Sequence, residues 1–239
     1  MNKAQSIRNK IGKLTPGKVF SAKSLNLDGT ATTRKILSRL EKKGAIQRVD
    51  GRQGFYFIPK QGVFGTVKPP RGVLVRALLT DENKGYRSGL SLYNKLGLTT
   101  QVPGNITIAC NMFPRTTTVG GVEVQYRKAR APITKDNIPL LQYLDVFMDI
   151  KNIPDTTPGK IVKQMKEKLK GLEKSDVKRM IKLSDYYPKR VQALLGALLE
   201  NLCGVEAAKP LKKVTQSGSI YKLGIKECEL PNRAKWNIR

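Results

Sequence analysis

Four breaks punctuate the first 60 residues, and their spacing leaves room for little besides short helices and one hairpin. They are Thr15-Pro16-Gly17, Asp28-Gly29, Gly44 and the glycine-bracketed run Asp50-Gly51-Arg52-Gln53-Gly54. Pro-Gly and Asp-Gly pairs set turn geometry, and a lone glycine after a helical run supplies the left-handed closing residue. Before the first break, Ile7, Ile11 and Leu14 recur at helical spacing from residue 4 onward. Val19-Phe20 then leads into a short helix over residues 21–25, with Ser21 as its N-cap. A longer helix is predicted over residues 30–43, closed by Gly44. Residues 45–49 alternate apolar and polar side chains, and Phe55-Tyr56-Phe57-Ile58 returns as a strand before Pro59. Helix, helix, turn, helix, hairpin is the order of a winged helix-turn-helix. The expected domain occupies residues 1–61, with Gln61-Gly62 as a linker.

On a 3.6-residue wheel the third helix has two unlike faces. Thr33, Ile36, Leu37 and Leu40 point one way and should pack on the first two helices. Ala31, Thr32, Lys35, Ser38, Arg39 and Lys42 point the other way, with Arg34 flanking. A recognition helix offers short polar groups and long cations to base edges from its first turns, which suits Thr30, Thr32, Arg34 and Lys35. Ser38 and Arg39 come next, and Lys42 is placed for a phosphate. Arg48, Arg52 and Gln53 surround the hairpin tip and supply a second grip. The competing reading of such a helix is a solvated basic face.

Charge favours the nucleic-acid reading. The chain holds 45 Lys+Arg against 18 Asp+Glu, a formal net charge of +27. Residues 1–60 alone carry 14 basic and 3 acidic side chains. Such an excess repels itself unless a polyanion lies nearby, and binding phosphates releases condensed counterions. An anionic membrane is the rival polyanion. No stretch approaches the about 20 apolar residues of a span, and no signal peptide is evident, so a cytoplasmic location is expected. Cys110, Cys203 and Cys228 are far apart with no CxxC, which reads as buried reduced thiols and no metal site. There are 0 histidines, which removes histidine-based nucleophilic and general-base catalysis and almost all zinc hydrolase chemistry. No phosphate-binding glycine loop appears either. The expectation is a protein without a cofactor that is not an enzyme.

Residues 62–239 are expected to form a mixed α/β domain with a helical C-terminal part, making the whole chain α+β. Residues 72–79 and 85–98 carry helical periodicity, 106–110 reads as a strand, and 115–126 as a hairpin turning at Gly120-Gly121. Residues 137–202 are largely helical, with breaks at Pro154, Thr157-Pro158-Gly159, Gly171 and Tyr187-Pro188. Residues 204–239 read as a polar tail with one apolar island at 220–225. Lys160, Lys163, Lys166, Lys170 and Lys174 recur at three- and four-residue intervals, as a lysine-rich solvated helix or a second polyanion surface. Trp236 is read as pinning the tail to the core.

The segment Leu92-Tyr93-Asn94-Lys95-Leu96-Gly97-Leu98-Thr99-Thr100-Gln101-Val102-Pro103 resembles a signature of bacterial AbiE-family antitoxins. Gly54-Phe55-Tyr56 in the first domain and Leu194-Leu195-Gly196-Ala197-Leu198-Leu199-Glu200, Tyr221-Lys222-Leu223-Gly224 and Trp236-Asn237-Ile238 near the end extend the likeness over nearly the whole chain. The resemblance implies two activities. The winged domain would repress its own operon by binding inverted repeats in promoter DNA. The second domain would neutralise a co-transcribed nucleotidyltransferase-like toxin, in many members without a stable complex. The high positive charge departs from that family. The residues themselves explain the Thr99-Thr100-Gln101-Val102-Pro103 loop as backbone satisfaction beside a helix-ending proline. The alternative function is an RNA-binding or ribosome-associated basic protein, which here lacks an aromatic RNP1-like strand or a GXXG loop. A nucleic-acid-modifying enzyme is a third, with Asp81-Glu82 the only close acidic pair considered, itself read as a turn.

Overall fold

The computed structural model describes every residue except 1, 52, 53, 64 and 80–84. The chain is α+β and divides into two compact units. The first comprises Met1–Glu82 together with Arg115–Gln125, and the second Asn83–Pro114 with Tyr126–Arg239. The division falls elsewhere than at residue 61 because the chain beyond the winged part keeps folding onto it.

In the first unit, α1 (Lys3–Gly12) is capped by the Asn2 side chain and buries Ile7 and Ile11. Next come β1 (Val19–Ser21), a 3-10 turn at Lys23–Leu25, and α2 (Ala31–Lys42). The hairpin strands are β2 (Gln47–Arg48) and β3 (Phe55–Phe57). The strands form one antiparallel sheet in the order β1-β3-β2. Pairing Val19 with Phe57 and Ser21 with Phe55 makes β1 the third strand of a winged helix-turn-helix. The short helix expected over 21–25 is instead this strand plus a single 3-10 turn. The N-cap is Ala22 and not the expected Ser21, although the Ser21 Oγ accepts from the Ser24 N–H at 3.1 Å. Ile7, Ile11, Phe20, Ile36, Leu37, Leu40, Ile46 and Tyr56 form the core.

Gln61-Gly62 is not a linker. It lies in β4 (Lys60–Gly62), which pairs antiparallel with β5 (Gly65–Val67) ahead of α3 (Arg71–Leu78). Helix α3 contacts β1, which extends this unit past the winged core.

The second unit begins with β6 (Gly85–Ser88) and α4 (Gly89–Lys95). The helix expected over 85–98 is therefore shortened at its front, because β7 (Ile106–Cys110) pairs antiparallel with residues 85–88. The expected hairpin is β8 (Arg115–Val119) and β9 (Val122–Lys128), the last strand running on from the first unit into the second. Helices α5 (Ile138–Met148), α6 (Pro158–Lys170), α7 (Lys174–Ser184) and α8 (Lys189–Cys203) follow, separated at the expected breaks. Helix α8 is the hub, with every residue from Val191 to Leu199 buried.

Residues 204–239 are no loose polar tail. A short α9 (Val205–Ala208) leads into 3-10 turns, and Leu211, Val214, Leu223, Ile225, Leu230 and Ile238 join the core. Trp236 is 0% exposed, with its ring against Gly196 of α8, where any Cβ would lie 2.1 Å from it. Its Nε1 donates to Glu200 Oε2 at 2.9 Å. Of the cysteines, Cys110 is buried as expected, whereas Cys203 and Cys228 are exposed thiols. No helix among the described residues is long and apolar enough to cross a membrane.

Candidate nucleic-acid interface

Helix α2 is built to present a cationic face. Thr30 caps it, its Oγ1 accepting from the Thr33 N–H at 3.4 Å. Asp28 anchors the cap: it accepts from Thr30 Oγ1 at 2.9 Å, from Thr33 Oγ1, and from Lys3 Nζ of α1 at 2.5 Å. The Lys3 bond, and those from Thr33 and Thr30, hold the Asp28 carboxyl below the usual carboxylate range. At the other end the Gly44 N–H bonds the Glu41 carbonyl at 2.9 Å, and Gly44 takes φ +72°, the left-handed conformation that glycine adopts without a Cβ penalty.

Between these caps Thr33, Ile36, Leu37 and Leu40 are buried. Thr32, Lys35, Arg39 and Lys42 are exposed, and their spacing of three and four puts them on one side of the helix. Ser38 is half-buried at the edge of that face. Among the described residues, no ion pair or hydrogen bond engages the side chains of Lys35, Arg39 or Lys42.

The remaining candidates are partly committed. The Thr30 hydroxyl serves the cap and also accepts from Lys3 Nζ at 3.1 Å. Arg34 is exposed, but its Nη2 donates to the Gly29 carbonyl at 3.3 Å. Arg48 pairs with Glu41 of α2 at 3.0 Å and lies 5.7 Å from the centre of the Tyr56 ring, so it ties the wing to the helix. Arg52 and Gln53 lie outside the described residues.

The wing has a support that its own sequence does not announce. The Gly120 N–H donates to the Asp50 carbonyl at 2.8 Å. Gly51, at φ +72°, leaves so little room that a Cβ would sit 1.8 Å from the Thr118 carbonyl oxygen. The turn between β8 and β9 thus buttresses the start of the wing loop. Only the glycine at position 51 hinted at such a close approach.

The lysine series expected on one helix is divided by the break at Gly171. Lys160, Lys163 and Lys170 are exposed on α6, while Lys174 opens α7. Lys166 is half-buried: its Nζ donates to the Glu229 carbonyl at 3.0 Å, and burial, with Lys170 nearby, lowers its pKa. Lys170 pairs with Glu167 at 2.8 Å. Among the described residues, Lys160, Lys163 and Lys174 are the members of the series that stay exposed with no ion pair.

Sequence reasoning missed a buried polar cluster in the second unit. Asp145 of α5, its side chain 3% exposed, accepts from Arg127 Nη2 of β9 at 2.6 Å. It accepts also from Tyr187 OH at 2.9 Å and from Ser88 Oγ. One turn on, Asp149 accepts from Tyr93 OH at 2.5 Å. Burial, then Asp149 beside Tyr93 and Asp145 beside Tyr187, push both phenols up, so they stay protonated and donate. Burial works against the Arg127 charge, but Asp145 and its neighbours outweigh it and raise the pKa. These donors are spent on carboxylates, which ties β6, α4, β9, α5 and Tyr187, two residues before α8, together. Asp145 in α5 and Asp149 at its C-cap, four residues apart, were the available signal, but their partners lie far away along the chain. The loop after α4 is likewise self-satisfied: Gln101 N–H donates to Thr99 Oγ1 at 3.1 Å and Asn94 Nδ2 to the Gln101 carbonyl at 3.2 Å.

No curated protein matches the chain. Among solved structures, it is similar to the crystal structure of the RV2827C protein from Mycobacterium tuberculosis, at 14% identity and a TM-score of 0.46. That match covers 92% of this chain and 84% of the other. The sequence pattern described as "Family of unknown function (DUF6088)" matches residues 6–141. Those residues are more than half of the chain, which therefore belongs to the DUF6088 family.

Proposed function

We propose that the chain is a DNA-binding transcriptional autorepressor and the antitoxin of a bacterial toxin-antitoxin pair, with no catalytic role of its own. The observation that carries the DNA reading is the outer face of α2, where Thr32, Lys35, Arg39 and Lys42 are exposed over a buried face. Cations on a folded helix that no carboxylate engages are ready to replace condensed counterions on a duplex. Phosphate contacts by Lys42 and the wing would set the docking register, and Thr32, Lys35 and Arg39 would face base edges. Inverted repeats, which the AbiE-family resemblance implies, would take two copies. A gel-shift titration on DNA from upstream of its own gene tests this. Replacing Arg34 and Lys35 together by Ala should weaken binding while leaving the unfolding temperature unchanged. Unchanged affinity would mean that another face reads the DNA.

Neutralisation of a nucleotidyltransferase-like toxin, in a phage-defence setting within the cytoplasm, rests on the AbiE-family resemblance. Growth rescue on co-expression with a nucleotidyltransferase-like neighbouring gene checks it. Continued toxicity would remove the antitoxin half and leave the DNA half standing. Exposed Lys160 and Lys163 favour a second reading, an RNA-binding or ribosome-associated protein. Structured RNA bound more tightly than promoter DNA at matched salt would prefer it.

A further inference from the structure

The first unit contains a cleft of about 490 Å³ that the DNA-facing residues do not use. Its apolar lining includes Phe55 of β3, and Val73 and Ala77 of α3, with the buried Phe20 of β1 behind them. Four cations, Lys18, Lys60, Lys68 and Arg76, also line it, and among the described residues no acidic side chain does. Lys68 spends part of its charge on Asp50 at 3.4 Å, whereas Lys18 and Lys60 have no ion pair among the described residues. The size lies within the range of small-molecule sites, about 300–1,000 Å³. Aromatic and aliphatic walls beneath a one-sign rim suit a flat apolar body carrying a carboxylate, sulfonate or phosphate.

We propose that this cleft binds an amphipathic aromatic anion and that the ligand adjusts the DNA-binding helix. The second half rests on the DNA reading above. Two chains of contacts lead from the cleft to α2. Phe20 stacks on Tyr56 with ring centres 5.9 Å apart, Arg48 lies 5.7 Å from that ring, and Arg48 pairs with Glu41 of α2 at 3.0 Å. Ser21 and Ser24, both in the cleft wall, exchange hydrogen bonds of 2.8 and 3.1 Å. The chain that follows them carries Asp28, the anchor of the α2 cap. A ligand seated against Phe55 therefore bears on the strand that carries Tyr56 and on the Ser21–Ser24 turn that precedes the α2 cap.

The probe is 8-anilinonaphthalene-1-sulfonate, whose fluorescence rises in apolar surroundings. N-phenyl-1-naphthylamine, the same ring system without the sulfonate, is the uncharged control. The full chain should bind one sulfonate saturably and the control at least about tenfold more weakly. Lys60→Glu should cost about tenfold, the larger end of what a reversed rim charge does at a partly exposed site. Ala77→Phe should fill the cleft and abolish the signal, with thermal unfolding of both variants checked against the parent chain. Equal binding of probe and control, or binding unaltered in both folded variants, would overturn the site. The titration is then repeated with promoter duplex present. A duplex affinity that shifts with the probe in the parent chain, and not in Ala77→Phe, supports the coupling. An unshifted affinity in a chain that binds both ligands overturns the coupling alone. A chain that binds the probe but no duplex instead refutes the DNA reading.

Discussion

The outer face of α2 and the Arg127–Asp145 cluster use charge in opposite ways. In the first, Lys35, Arg39 and Lys42 stand in solvent, and no carboxylate among the described residues engages them. In the second, Asp145 is withdrawn from water and Arg127 is half-buried against it, and their donors and acceptors meet one another. A buried charge must be partnered because desolvation is otherwise uncompensated, while an exposed unpartnered cation costs the fold almost nothing. A chain with a net charge of +27 can therefore hold its fold with a few buried pairs and keep many cations available for another polyanion. Losing a cluster residue should damage folding, and losing an α2 cation should damage only binding.

The largest effect is expected at Asp145. Asp145→Ala leaves Arg127 without its closest carboxylate and should destabilise the second unit by about 3–5 kcal/mol, read by denaturant unfolding. A loss near zero would mean that the cluster is not what holds these elements. Gly51→Ala comes next. It forces a Cβ toward the Thr118 carbonyl and a non-glycine residue into φ +72°, so it should cost at least about 1 kcal/mol and weaken DNA binding by displacing the wing. If stability and binding both stay at parent values, the buttress is dispensable.

Smaller still is Arg39→Ala, which should change stability by less than about 0.5 kcal/mol while costing about 1–3 kcal/mol of duplex affinity if Arg39 reads a base. The smallest effect concerns Asp28. Its pKa is depressed in the folded chain, so its contribution is present above the unfolded value of about 3.9 and is lost as pH falls through the folded value. Asp28→Asn should remove that dependence, flattening the acid limb of a stability-versus-pH curve. An acid limb identical to that of the parent chain would show that the cap does not couple to folding.

How much of this was legible in the sequence follows from how local each feature is. Helix α2 was readable because its cap at Thr30, its closure at Gly44 and its buried positions all lie within 15 residues. Strand β1 was not, since three residues become a strand only by pairing with β3, after α2 and β2 in the chain. Gly85–Ser88 fits a helical pattern and is overridden by antiparallel pairing with Cys110–Thr107. Trp236 was readable as an anchor, but the order of the tail around it depends on the close approach of its ring to Gly196, which no local pattern encodes. The cluster around Asp145 was the least legible: its partners lie 57 residues before it at Ser88 and 42 after it at Tyr187. Of the candidate site, the exposure of Thr32, Lys35, Arg39 and Lys42 was readable from periodicity. The commitments of Thr30, Arg34 and Arg48 to internal partners were not.

The most direct measurement is the salt dependence of duplex binding for the parent chain and the Lys35→Ala, Lys42→Ala double variant. Each lysine that neutralises a phosphate should account for about 1 in the slope of log affinity against log salt. The double variant should therefore show a slope shallower by about 1, from Lys42, and a lower affinity from the loss of Lys35, with unfolding unchanged. Identical slopes and affinities for two equally folded chains would contradict the proposal that this face of α2 meets DNA.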